Sequence, residues 1–186
     1  MLTKSSLNSA FKIYWDEMVR CRKGRAYYAL LHLTVCLPDI CAALQSANGE
    51  TKGARYKAWC DQYLTNPKLT GAERWDMRCK VLHQGRASIP PGRYDGFSFS
   101  QPAATGEVDH ERLDGKTLIL DVGKISDEMK TAVEAWISRL ESNLSGADAL
   151  NTAKNLPSLI QVRQFPLPGT KPGVSSIQPI VINRSS

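Results

Sequence analysis

"AYYALLHLTVCLPDICAAL", residues 26–44, is the stretch whose reading decides the fold. It is nearly all apolar and about as long as a bilayer crossing, yet it carries His32, Pro38 and Asp39. An aspartate at the centre of a spanning helix costs roughly 2.5 to 3.5 kcal/mol. The residues therefore fit the central helix of a bundle better, buried on most sides and either kinked or restarted at Pro38, with no membrane partner. Asp39 then needs a counter-charge, because a buried unpaired carboxylate is unstable, and an arginine from a neighbouring helix is the natural candidate.

Working outward, amphipathic helices flank this core helix. Upstream, Phe11, Tyr14, Trp15 and Met18 fall at i, i+3, i+4 and i+7, which lines one helix face, and the cations and Gly24 of "RCRKGR" end it in a solvated turn. Downstream, beyond the polar "QSANGETKG", Tyr56, Trp59, Cys60 and Tyr63 repeat the same spacing in a third helix closing at Asn66-Pro67. Its rings alternate with Arg55 and Lys57, as on a base-stacking surface, but helical periodicity points them to one side and favours core packing. "LTGAERWDMRCKVLHQG", residues 69–85, has both ends marked: Thr70 and Glu73 form a reciprocal capping box, and Gly85 is the usual left-handed terminator.

After Arg86 the texture changes. Pro90-Pro91, several glycines and two β-rich runs, Phe97 to Phe99 and Thr117 to Val122, predict a small β-hairpin with a wide connection, an insertion around residues 94–122. "SDEMKTAVEAWISRLES" then places Met129, Ala132, Val133, Trp136 and Leu140 on one face of a fifth helix, with Ser126 as its N-cap. From Ser145 onward the chain holds five of its ten prolines, and "SLIQVRQF" and "SIQPIVIN" fit edge strands or an extended arm. The expected architecture is one mainly α domain over residues 1–144, a bundle of four to five helices with a small β-hairpin. A Pro-rich C-terminal extension follows over 145–186.

The net charge of +6 divides unevenly. Residues 1–93 carry 15 Lys+Arg against 7 Asp+Glu, while residues 94–186 carry 9 against 11, so the positive potential that attracts phosphates belongs to the first half. Five cysteines, an odd number without C-x-x-C spacing, read as reduced, buried thiols of a cytoplasmic protein. His32, His83 and His110 lie too far apart for short metal-ligand spacings, so neither a metal nor another cofactor is expected. "MLTKSSLNSAFKIYWDE" lacks the apolar segment of a secretory signal. P-loop, G-x-G-x-x-G, H-E-x-x-H and G-x-S-x-G motifs are all missing from the sequence.

The remaining chemistry lies in "RCKVLHQG", residues 78–85, where Arg78 and His83 are separated by four residues close to a helix end. Lys80, Arg86 and Arg93 flank the pair and are the candidate nucleic-acid-binding residues. Arg25 and His32 repeat the pattern with a wider gap, but His32 sits in the most apolar helix, where a histidine hydrogen-bonded into the core is expected. Together with "AYYALLHLTVCLPDICAAL" and "GARYKAWCDQYL", this region resembles a bacterial set of helical bundles of HEPN-like character. The R-x4–6-H signature is that of HEPN ribonucleases; the position after the arginine, often polar in that family, is Cys79 here.

The resemblance implies a homodimer that cleaves RNA without a metal. The RNA's own 2′-hydroxyl would attack phosphorus, His83 would move the proton and Arg78 would meet the developing charge. Five residues of ideal helix separate the two side chains by about 140°, so one chain is expected to converge them poorly and a two-fold dimer to complete the site. Three other readings compete. Arg78 pairs with an acid such as Asp39 while His83 caps its helix; Cys79 and His83, at i and i+4, form a thiol site; or the chain is a non-catalytic module binding a protein, nucleotide or RNA through its basic half.

Overall fold

The computed structural model describes residues 2–66, 68–89, 92–102 and 109–159. Six α-helices and a three-stranded sheet are formed there: α1 Lys4–Lys23, α2 Tyr27–Leu44, α3 Gly53–Tyr63, α4 Gly71–Gln84, β1 Gly96–Ser100, β2 Arg112–Asp114, β3 Thr117–Asp121, α5 Val122–Ser142 and α6 Ala147–Asn155. The fold is mainly helical, as its periodicities indicate.

The residues of α2 make it the hub. Leu30, Leu31, Val35, Leu37, Cys41, Ala42 and Leu44 are buried, and α2 packs against α1, α3, α4, α5 and α6. Among the described residues it is the one helix long and apolar enough to cross a membrane, yet half of it is covered by the rest of the fold, which is how a core helix is used. Pro38 lies inside it without ending it. The Tyr56 hydroxyl of α3 donates to the Val35 carbonyl (3.3 Å) and Thr34 donates to the Leu30 carbonyl (2.8 Å), which satisfies polar groups at the helix centre.

α1 begins earlier than its aromatic stripe suggests, at a Thr3/Ser6 capping box, and buries Leu7, Phe11 and Met18; Phe11 meets Trp136 of α5 edge-on at 5.7 Å. α3 and α4 cross closely. A Cβ on Gly71 would lie 2.2 Å from the Lys57 carbonyl oxygen, so only glycine lets α4 start there. The two ends of α4 are as read from the sequence: Thr70 and Glu73 exchange backbone N–H bonds, and Gly85 adopts φ +57.

The β region differs from its expectation. Phe97 to Phe99 and the run from Thr117 do pair, but in parallel (Phe97 opposite Leu118), not as a hairpin. The hairpin is β2 with β3, closed at Gly115 (φ +58), in the sheet order β1-β3-β2. β2 is wholly exposed, so it has no apolar alternation to reveal it. A second difference concerns α5. The helix follows β3 directly, Asp121 Oδ1 accepting the Lys124 N–H at 2.8 Å, and Ser126 is buried one turn inside the helix instead of capping it.

A third difference falls in the proposed C-terminal extension, whose first part is α6. Its Asn155 amide donates to the Leu44 and Ser46 carbonyls (3.0 and 2.7 Å) and Asn151 donates to the Gln45 carbonyl (3.1 Å). α6 thus supplies donors to the carbonyls left open at the end of α2. "SIQPIVIN" and all but the first two residues of "SLIQVRQF" lie outside the described residues.

Candidate functional site

Asp39 on α2 and Arg78 on α4 face each other across the packed pair of helices. Arg78 Nε donates to Asp39 Oδ2 at 2.6 Å, with the side chains only 18% and 15% exposed. The expected arginine partner of Asp39 is therefore Arg78. Burial pushes the Asp39 carboxyl above its ordinary range, while the hydrogen bond and charge of Arg78 pull it back. Asp39 Oδ1 is buried without a hydrogen-bond partner among the described residues. Trp75 lies under the guanidinium, 5.0 Å from ring centre to Cζ, and limits where it can swing.

The same guanidinium reaches His83. Arg78 Nη1 lies 2.7 Å from His83 Nε2, and His83 is exposed. Because a guanidinium can only donate, Nε2 must accept and the imidazole proton resides on Nδ1. The expectation that one chain converges this pair poorly is thus corrected: the long arginine side chain spans the angular gap within one chain. Arg78 thus contacts both Asp39 and His83 in one Asp39–Arg78–His83 chain, and His83 bonds the guanidinium, not a terminal carbonyl of its helix, among the described residues. His83 Nε2 engages Arg78, the same guanidinium with which the Cys79 thiol interacts.

The flanking cations separate in space. Lys80 lies on the same helix and bonds Gln84 Oε1 (3.1 Å), and Arg86 is exposed just past the helix end. Arg93 belongs elsewhere. It clasps both carboxylate oxygens of Glu73 (2.9 and 2.6 Å), reaches the Lys68 carbonyl and stacks on Tyr94 at 4.8 Å. Glu73 sits ten residues before His83, about 15 Å along the helix axis, so Arg93 is not brought to the pair. His32, expected in the core, is half-buried and donates through Nδ1 to the Tyr28 carbonyl of its own helix at 2.8 Å.

All five cysteines are free thiols, but only Cys41 and Cys60 are buried as expected; Cys21, Cys36 and Cys79 are half-buried. Cys41 and Cys60 are fully buried, and burial pushes the Cys60 thiol up to about 12, against the pull of Arg74. They are core residues without nucleophilic character.

One cluster escaped the sequence reading. His110, Glu111 and Glu128 bring their ligand atoms within 4.8 Å of one another. Its geometry is that of a hydrogen-bond network. His110 Nδ1 accepts the Asp121 backbone N–H at 3.1 Å, where strand β2 would otherwise continue, so Nε2 carries the proton and donates to Glu128 Oε1 at 3.0 Å. A metal on Nε2 would require the proton on Nδ1, facing the Asp121 N–H donor to donor. Glu111, at φ +60, is also held by the Asn66 amide. No sequence spacing announces this cluster, because the sheet register brings it together.

Comparison of the chain with models of known protein families, with curated protein sequences and with solved structures finds no match.

Proposed function

We propose that the end of α4 is a phosphodiester site at which Arg78 and His83 cleave single-stranded RNA without a metal, in a homodimeric, cytoplasmic protein of HEPN-like character. The observation that carries the reading is the 2.7 Å contact between Arg78 Nη1 and an exposed His83 Nε2, with the guanidinium anchored from behind by Asp39. Anchoring through Nε keeps the terminal nitrogens, Nη1 of which contacts His83, on the side away from Asp39, and a planar donor fork suits the oxygens of a phosphate.

When a phosphate enters, Nη1 turns from His83 to a phosphoryl oxygen and frees the Nε2 lone pair. Nε2 then takes the proton of the RNA 2′-hydroxyl as its oxygen bonds to phosphorus. The bond from phosphorus to the 5′-oxygen breaks, and that oxygen gains a proton from an acid on the opposite side. The products are a 2′,3′-cyclic phosphate and a 5′-hydroxyl. Positive charge on the imidazole beside Arg78 is offset by negative charge gathering on phosphorus.

Purified protein is expected to cleave single-stranded RNA in EDTA. His83→Ala, folded by circular dichroism, is expected to lose about 100-fold or more of the rate. A wild-type chain inactive on varied single-stranded RNAs would sink the enzymatic reading. The half-buried Asp39–Arg78 bridge favours a second reading, a non-catalytic module that binds a protein, nucleotide or RNA through its basic half. Under it, RNA binding survives His83→Ala and falls steeply with salt.

A further inference from the structure

Past the end of α4 lies a pocket of about 250 Å³, lined mainly by apolar surface, with Tyr27 and Tyr28 of α2, Phe99 of β1, Gly85, Arg86 and Gln101 on its walls. Three aromatic residues line it. Tyr28 is 67% exposed, whereas the other described aromatic rings are buried or half-buried; its ring also lies 4.2 Å from that of His32, centre to centre. Arg86 is exposed, and its guanidinium has neither a hydrogen bond nor an ion pair among the described residues, in contrast to Arg78. The first turn of α2 also opens on this pocket. Its N-cap, Ala26, provides no side-chain bond, and Tyr27 and Tyr28, the first two residues of the helix, line the pocket at the positive end of the helix dipole.

We propose that this pocket seats a nucleobase of a single-stranded RNA whose backbone is held by Arg86 and crosses the end of α4 to reach the Arg78–His83 pair. The inference rests on the RNA reading above and adds a base-binding subsite to it. The lining matches such an occupant: flat rings for a base face, an amide (Gln101) for its polar edge, and a cation with open N–H groups for the adjoining phosphate. Val81 and Gly85 share the pocket side of α4, while His83 lies about 200° around the helix from Val81. A helix is about 10–12 Å across, so a strand passing over its end connects the two within a short run of nucleotides.

The test uses the full chain carrying His83→Ala, so that RNA is bound and not cut, and a fluorescein-labelled single-stranded RNA decamer read by anisotropy. Tyr28→Ala is expected to weaken binding about tenfold, and Tyr28→Phe to restore it, because the ring face and not the hydroxyl makes the stack. Arg86→Ala is expected to weaken binding and to reduce the slope of log affinity against log salt by about one. Tyr28 and Arg86 are exposed, so thermal midpoints should not move.

Unchanged affinity in Tyr28→Ala and Arg86→Ala would overturn the subsite while leaving cleavage by Arg78 and His83 intact. Tyr28-dependent binding by a wild-type chain that cuts no RNA would overturn the cleavage and leave the subsite standing. Absence of any RNA binding would overturn both. Self-association lost in Tyr28→Ala with RNA affinity unaltered would assign the pocket to a second copy and overturn the subsite.

Discussion

At the scale of single residues, two arginines on α4 make opposite cases. Arg78 has Asp39, His83 and Trp75 around it. Asp39→Asn keeps the shape but removes the charge, so a half-buried guanidinium loses its counter-ion. The loss is expected to be about 1.5 to 3 kcal/mol in urea unfolding, and RNA cleavage should fall with it, because Arg78 is then free to drift from its position. A variant as stable as wild type would show that Asp39 holds nothing in place. Arg74, four residues earlier, is 1% exposed, and none of its three guanidinium nitrogens has a hydrogen-bond partner among the described residues. A buried charge without a partner is a net burden on the fold. Arg74→Met, of similar length and without the charge, is therefore expected to raise stability by about 1 to 4 kcal/mol, measured by the same unfolding curves. A loss of stability would mean that Arg74 has a counter-charge in solution. The sequence announced the contact of Arg78 with an acid through the need of Asp39, since burial in an apolar helix dictates it. It gave no notice of Arg74, whose place next to the charged Glu73 and Asp76 reads as a solvated face.

At the scale of elements, legibility followed locality. α4 was readable at both ends because a capping box and a left-handed glycine each act within one turn. β2 was signalled by Asp114-Gly115, the short turn dipeptide, but three exposed residues gave no periodicity beside it. The start of α5 was hidden because β3 runs into it without a loop, so Asp121 serves both elements, and Ser126 with acids after it imitates a cap. α6 was masked by the prolines that follow it, and its role of closing α2 depends on contacts more than 100 residues away in sequence. The cap of α4 also carries a titration. Glu73 is held below its ordinary 4.5: burial alone would raise it, but the Arg93 and Thr70 hydrogen bonds outweigh that. A depressed folded value means that its contribution is full above the unfolded value and is lost as pH falls through the folded one. The urea midpoint should therefore drop as pH is lowered below about 4.5, and Glu73→Gln should remove part of that drop. An identical acid limb in both proteins would show that Glu73 is not linked to folding.

At the scale of the whole molecule, the positive half of the chain contributes α1 to α4, so the Arg78–His83 pair lies on the basic half, and the Tyr28 pocket lies where that half meets Phe99, Gln101 and Val122 of the other. Transesterification needs a base for the 2′-hydroxyl and an acid for the departing 5′-oxygen. One chain has three histidines. His32 is bonded to the Tyr28 carbonyl and His110 to Asp121 and Glu128, which leaves His83 as the imidazole exposed at the site. On the proposed reading, a second imidazole for the proton transfer can come only from His83 of another copy; otherwise water or a non-histidine side chain supplies the acid. Meeting of Arg78 and His83 within one chain removes the angular reason for a dimer, but this need for an acid supplies a chemical one. If two copies share the site, cleavage per chain should rise with protein concentration across the range in which sedimentation shows a shift from 20.6 kDa to twice that mass. Excess His83→Ala chain mixed into the wild type should then suppress its activity, because most sites would hold one imidazole. Activity per chain that is constant from a monomeric to a dimeric solution, and indifferent to added His83→Ala, would assign the acid to water or to a side chain of the same copy and the complete site to a single copy.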